Sequence, residues 1–294
     1  MATLFPDRAF FTIPLPDGSH LRLGDRALVM GVLNVTPDSF GETVPPLDTS
    51  AAIEAGLRME LAGADLIDVG GESTRPGAEV VSAGEECDRI VPVIEGLATR
   101  VRVPLSVDTY KADVARAALA AGARMVNDIS GLRFDPPIGR VAADAGAALI
   151  VVHSRGRSKT MYDEAVYGDI MADVIRELRD TVAAATAAGV PRDRIIVDPG
   201  IGFAKRPAHS YGVLARLPEL AAALDRPVLA GPSRKSFMRE ALDGRAAADR
   251  DWGTAAAVTA AVLAGAHIVR VHAVAEMAQV MRVADEIRRH SHRP

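Results

Sequence analysis

The feature that most restricts what this chain can fold into is a pattern repeated eight times. A short apolar run ends in a polar or Gly-rich element, and a stretch with helical spacing follows it. The runs are ALVMGVLN (27–34), ADLIDVGG (64–71), VPLSVDT (103–109), ARMVNDIS (123–130), AALIVVH (147–153), RIIVDPG (194–200), RPVLAGPS (226–233) and AHIVRVH (266–272). Continuous apolar runs of this length suit parallel strands covered on both faces. The intervening stretches, such as TSAAIEAGLRMELAG, KADVARAALAAG and YGDIMADVIRELRDTVAAATAAG, read as helices closed by Gly, and AVAEMAQVMRVADEIRRH ends the chain as another.

Strand–helix units in this number predict an α/β protein, a (β/α)8 TIM barrel. An open doubly wound sheet has the same count and is the alternative. The strand ends favour the barrel. Asn34, Asp68, Asp108, Asn127, His153, Asp198, Ser233 and His272 each fall at or just beyond the end of one run. In a barrel these positions converge on one mouth, where active sites are built. Before the first run, RAFFTIPL, the turn Pro16-Asp17-Gly18 and SHLRLGD read as a β-hairpin, expected to cover the opposite end. No linker or composition break divides the chain, so 1–294 reads as one domain, hairpin 1–26 and barrel 27–294.

Composition narrows the function classes. Of 294 residues 49% are hydrophobic and the net charge is −4, which argues against a disordered chain. With 34 basic and 38 acidic residues, no nucleic-acid partner is expected. The single cysteine, Cys87, lies in a helix-like pattern, reads as packing, and fits a reducing cytoplasm. Neither a membrane span nor a signal peptide is legible.

A mouth carrying carboxylates, amides, Arg234, Lys235, Arg270 and His272 is not needed for stability, because buried charge is costly unless paired. Asp108 and Asp198 read as functional. Asp68 reads equally as a functional acid or as a brace for its neighbours. Gly-Pro-Ser-Arg-Lys-Ser (231–236) is expected to open a helix whose N-terminus favours an anion. Period-2 alternation puts Arg270 and His272 on one side of the last strand, beside that anion site. Two long loops, Asn34 to Pro46 and Gly70 to Ala78, have the composition of lids. Lys205 reads as a solvated loop residue, and His290 and His292 as solvated tail residues. No G-x-S-x-G or H-E-x-x-H occurs, and Gly200-Ile201-Gly202 lacks the dinucleotide-binding context.

The ordered set MGVLNVTPDSF, DVGGESTRPGA, SVDTYKADVARAAL, NDISG, DPGIGFAK, GPSRKSF and RVHAV resembles the dihydropteroate synthase family over nearly the whole chain. The resemblance implies a pterin-binding TIM barrel that joins (7,8-dihydropterin-6-yl)methyl diphosphate to 4-aminobenzoate, releasing diphosphate, with Mg²⁺. It implies that Asp108, Asn127, Asp198 and Lys235 hold the pterin. Asn34, Thr74, Arg75, Arg270 and His272 would grip the diphosphate, with Asn34 also touching Mg²⁺. Phe40, Pro76, Phe203 and Ser236 would form the aminobenzoate slot, and Asp108, Lys235, Arg270 and His272 would be the catalytic set. A homodimer and sensitivity to sulfonamides are further implications.

Three departures from the family pattern stand out. Gly41-Glu42-Thr43-Val44 replaces Ser-Asp-Gly-Gly after Phe40, Ser158 stands where Pro is common, and Pro232 removes one N–H near the anion site. Two competing readings are a methyltetrahydrofolate–corrinoid methyltransferase-like pterin barrel and a non-catalytic pterin-binding paralogue. The first would not need the Asn34–Phe40 lid or Ser-Arg-Lys-Ser. The second would be favoured by loss of Asn34, Lys235 or Arg270, all of which are present.

Overall fold

The structure, a computed structural model, describes residues 5–36, 49–73, 78–157 and 160–291. Two antiparallel strands come first, β1 (Phe11–Pro14) and β2 (His20–Leu23), with Phe11 opposite Leu23 and Pro14 opposite His20. Gly18 turns the hairpin at φ 80°, a left-handed conformation that favours glycine.

The barrel strands are β3 (Leu28–Asn34), β4 (Leu66–Gly70), β5 (Leu105–Asp108), β6 (Met125–Asp128), β7 (Ala148–Val152), β8 (Ile195–Asp198), β9 (Leu229–Ala230) and β10 (Ile268–Val271). All pair in parallel, in the order β8-β7-β6-β5-β4-β3-β10-β9. The barrel closes where Val197 on β8 bridges Val228, reinforced by Val197 N–H donating to Pro227 O at 3.0 Å. The open-sheet alternative therefore falls. The ladder of β9 is only two residues long, shorter than its apolar run, because Pro227 and Pro232 cannot donate to a ladder.

Helices α1 (Thr49–Leu61), α2 (Ala83–Ala98), α3 (Ala112–Ala120), α4 (Pro137–Asp144), α5 (Ile170–Ala187), α6 (Pro207–Ala215), α7 (Leu217–Leu224), α8 (Asp251–Leu263) and α9 (Val274–His290) surround the sheet. Every residue of β4, β5, β6, β7 and β8 is buried. Alternate residues of each strand serve two cores. Ile67, Val69, Val107, Leu149, Val151, Val197, Val269 and Val271 pack outward with helix residues such as Leu97, Leu178, Val258 and Met277. Leu28, Met30, Leu66, Met125, Ile150, Ile196, Leu229 and Ile268 pack in a second cluster with Ile13, Leu15, Leu21 and Leu23 of the hairpin. The hairpin thus plugs the N-terminal end of the barrel, and Asp17 pairs there with Arg124 at 3.1 Å.

Among the described residues no helix is long and apolar enough to cross a membrane. Cys87 is a half-buried free thiol on α2, packed against the outer core. His290 is exposed at the end of α9, its Nδ1 2.9 Å from Glu286 O.

Candidate active site

The same alternation that fills the barrel floor with apolar side chains sets polar ones above them. On β4 Leu66 belongs to the inner cluster, and two residues later stands Asp68. On β6 Met125 is followed by Asn127, on β8 Ile196 by Asp198, and on β10 Ile268 by Arg270. Asp108 is the register partner of Asn127, and Asp68 on β4 stands level with Ser106, two residues before Asp108, so three adjacent strands carry inward polar groups close together.

Asp68 is fully buried. Its Oδ2 accepts from Arg270 Nε at 2.7 Å and from Asn127 Nδ2 at 2.9 Å. Arg270 Nη2 donates to Asp108 Oδ2 at 2.6 Å. Of the two readings of Asp68, the geometry favours the brace: it aims Asn127 and Arg270. Asn127 is assigned with its amide nitrogen toward Asp68, since the reverse would set oxygen against oxygen. Its Oδ1 is then left buried without a partner among the described residues, as are Asp68 Oδ1 and Asp108 Oδ1. Buried polar atoms are nearly always paired, so such acceptors in one mouth call for a ligand that donates hydrogen bonds.

Asp198 Oδ1 accepts from the Gly200 N–H at 2.7 Å. Lys235 donates to the Ile201 carbonyl, and its Nζ sits 4.1 Å from the centre of the Phe203 ring. Burial pushes Asp108 up to about 7, against the pull of Arg270 and with a push from Asp68. Burial also raises Asp198, opposed chiefly by Lys235. It lowers Lys235 to about 8, opposed chiefly by Asp198. Charge is thus held in the mouth at a desolvation cost, a pattern that clusters at functional sites.

Residues 30–272 match the family described as pterin binding enzyme. The chain belongs to this family. It is 46% identical over 279 residues to the dihydropteroate synthase of Synechocystis sp., covering 95% of this chain and 96% of that one. Among solved structures, the Xanthomonas albilineans dihydropteroate synthase with 4-aminobenzoic acid superposes with a TM-score of 0.86 at 42% identity, covering 94% of this chain and 98% of that one. The Yersinia pestis dihydropteroate synthase in complex with a sulfonamide drug does so with 0.86 at 42% identity, covering 92% and 97%.

In this pterin-binding enzyme the anion site departs from expectation. Gly-Pro-Ser-Arg-Lys-Ser does not open an α-helix. It leads into a 3-10 turn at Ser236–Met238, a second follows at Ala247–Asp249, and α8 begins only at Asp251. The reason is local: Arg234 is left-handed, at φ 58°. Its guanidinium is held by both oxygens of Asp251 at 2.7 Å, so it is no member of the cationic mouth. Ser236 Oγ is 3.3 Å from Tyr162 Oη. His272, just past β10, lies with its Nδ1 2.9 Å from Ser233 Oγ and its N–H donating to the same oxygen at 3.2 Å. Asn34 ends β3 opposite Gly70. Phe40, Thr74, Arg75 and Pro76, with Glu42 and Ser158, lie outside the described residues.

Two features escape sequence reasoning. Lys205 is not solvated but 1% exposed, surrounded by His153 and the Phe203 carbonyl. Glu72, at the root of the second long loop, accepts from Tyr110 Oη at 2.8 Å, from Lys111 Nζ at 2.6 Å and from Val81 N–H at 3.1 Å. The only advance signal for Glu72 is its place between two glycines and the Ser-Thr-Arg-Pro string.

Proposed function

We propose that the chain acts as a dihydropteroate synthase, condensing (7,8-dihydropterin-6-yl)methyl diphosphate with 4-aminobenzoate to 7,8-dihydropteroate and diphosphate. The observation that carries this reading is the meeting of unpartnered buried acceptors on Asp108 and Asn127 with Arg270 and Lys235 in one mouth. A pterin edge offers ring N–H and amino donors to Asp108, Asn127 and Asp198, and a carbonyl or ring nitrogen to Lys235. Arg270, His272 and Asn34, with Thr74 and Arg75, take the diphosphate. Phe203 and Ser236, with Phe40 and Pro76, take the aminobenzoate.

The substitution is dissociative. The bond between the exocyclic methylene and the diphosphate oxygen breaks, its electron pair leaving on the diphosphate, which Arg270 and His272 stabilise. The resulting pterin cation is favoured by the Asp108 carboxylate. The aryl amine then forms the C–N bond and gives up one proton. No side-chain nucleophile is required, in keeping with the absence of G-x-S-x-G and H-E-x-x-H.

Among the described residues no cluster of three or more His, Cys, Asp or Glu could hold a metal. The Asn34 amide oxygen is nevertheless a hard donor at the mouth, of the kind Mg²⁺ accepts when phosphate oxygens and water supply its other ligands. Mg²⁺ held this way would supply charge neutralisation on the departing diphosphate.

We further read 1–294 as one domain acting in the cytoplasm as a homodimer. Support for pairing comes from outer helices that expose Trp252 on α8 and Val283 and Ile287 on α9. Sedimentation of the purified chain tests it, and a monomer at micromolar concentration rejects it. The activity is tested by diphosphate release from the pterin substrate, with and without 4-aminobenzoate and Mg²⁺. Release that needs all three supports the reading; methyl transfer from methyltetrahydrofolate in its place replaces it.

A further inference from the structure

The loop after β8 is an arch of unusual backbone. Gly200, Gly202 and Ala204 are all left-handed, at φ 65°, 82° and 47°. For Ala204 this is a conformation an L-residue rarely adopts unless its surroundings hold it there. The arch lies directly on the end of β7: a Cβ on Gly200 would stand 1.8 Å from the His153 carbonyl oxygen. Phe203 sits at its crest, with Lys235 over the ring.

Lys205 ties this arch down from beneath. Its Nζ lies 2.7 Å from His153 Nδ1, 3.3 Å from His153 O and 3.1 Å from Phe203 O. Burial pulls this lysine well below its usual range, opposed chiefly by the Asp198 charge. His153 is equipped to accept. Burial, and then the Lys205 charge, pull its ring down to about 3, so it is neutral. With Nδ1 accepting, Nε2 carries the proton and donates to Glu177 Oε2 at 3.0 Å. Glu177 is gripped in turn by Arg155. Tyr167 adds an independent tie, its hydroxyl donating to Ala204 O at 2.9 Å. None of Asp108, Asn127 or Asp198 hydrogen-bonds to Lys205 among the described residues.

We propose that Lys205 is a positioning residue: by joining the Phe203 carbonyl to His153 it fixes the Phe203–Lys235 wall against which the aminobenzoate ring packs. This rests on the assignment of Phe203 to the aminobenzoate slot. A buried lysine, rather than a water or a hydroxyl, suits the task because one Nζ on a packed stem reaches polar groups of two loops at once.

The test is steady-state kinetics of the full chain with both substrates varied, alongside calorimetry of pterin diphosphate and thermal melts. In Lys205→Met the KM for 4-aminobenzoate should rise about tenfold or more, as misplacement of a binding wall predicts. Pterin diphosphate affinity should change several-fold less, since Lys205 reaches Asp198 only through charge and through His153, whose N–H donates to Asp198 O at 2.8 Å. Tyr167→Phe, which removes only the tie to Ala204, should shift the same KM in the same direction by a smaller factor, and it decides the matter if Lys205→Met does not fold. A folded Lys205→Met that weakens both substrates equally, or neither, overturns the proposal. Phe203→Leu separates the two layers of the argument. If it leaves the aminobenzoate KM unchanged, the slot assignment fails and this proposal with it. If it raises that KM while Lys205→Met and Tyr167→Phe do not, only the positioning role fails.

Discussion

Arg270 Nε lies 2.7 Å from Asp68 Oδ2, and the carboxylate it meets is fully buried. With Nη2 on Asp108, the guanidinium spans two acids on neighbouring strands. Its remaining N–H groups are the ones the mouth can offer to an anion. Arg270 thereby neutralises two buried acids, and in the proposed reaction it would also face the leaving group.

Removing Asp68 should show how much this brace contributes. Asp68→Ala leaves Arg270 short of one carboxylate and Asn127 Nδ2 without its acceptor. Breaking a buried pair from one side costs about 3–5 kcal/mol. Urea denaturation should record a loss of this order, and kcat should fall in whatever enzyme remains folded. A loss under about 0.5 kcal/mol, the range of an ordinary surface change, would remove Asp68 from the role of brace.

Asp198→Asn should weaken pterin binding without unfolding the chain. The amide keeps an acceptor for Gly200 N–H only by turning its donor toward the pterin donors. A mismatched buried group costs about 1–3 kcal/mol, or roughly five- to 150-fold in affinity. Calorimetry with pterin diphosphate, with a melt as control, measures it; unchanged affinity in a folded protein removes Asp198 from the pterin pocket.

The pH profile of kcat/KM should be bell-shaped and narrow. Asp108 loses its charge as pH falls through about 7, and Lys235 loses its charge as pH rises through about 8. The reading uses the ionised form of both, so activity declines on either side. Lys235→Met should lower activity and abolish the alkaline limb, leaving the acid limb in place. An alkaline limb that persists in this variant assigns it to another group.

Glu72 should matter through its loop. Its carboxylate joins Val81, at the far side of 74–77, to Tyr110 and Lys111 beside β5. In Glu72→Ala the buried donors lose an acceptor, at about 1–3 kcal/mol. Because Thr74, Arg75 and Pro76 begin two residues after Glu72, KM should rise for both substrates, unlike the uneven effect expected for Lys205→Met. Thermal melts and two-substrate kinetics check both parts, and unaltered KM values would confine Glu72 to stability.

Sulfonamides should compete with 4-aminobenzoate. They share its ring, amine and acidic group, and a sulfonamide complex is known for the similar Yersinia pestis enzyme. Inhibition measured at several aminobenzoate concentrations should be competitive. Normal turnover without inhibition would point to the altered stretch Gly41 to Pro46 as the discriminating element.

The eightfold strand pattern, the hairpin and the polar strand ends were legible in the linear chain. Parallel strands covered on both faces must be apolar throughout, and period-2 alternation then assigns Asp68, Asp108, Asn127, Asp198 and Arg270 to the interior. Those are properties of neighbours along the chain. Partner choice is not. Nothing in the spacing says that Arg270 meets Asp68 and Asp108, or that Asp251 claims Arg234. A lysine in Gly-Phe-Ala-Lys-Arg-Pro looks like a solvated loop residue, because its acceptors lie across the barrel rim at the end of β7. Likewise the helix expected after Gly-Pro-Ser-Arg-Lys-Ser gave way to a left-handed Arg234 and two short 3-10 turns. The sequence by itself determined which strand residues face the barrel interior, because periodicity is local. Which of them neutralise, brace or face the substrate was decided only by tertiary structure, because buried charges settle on partners that chain closure, not chain order, brings within reach.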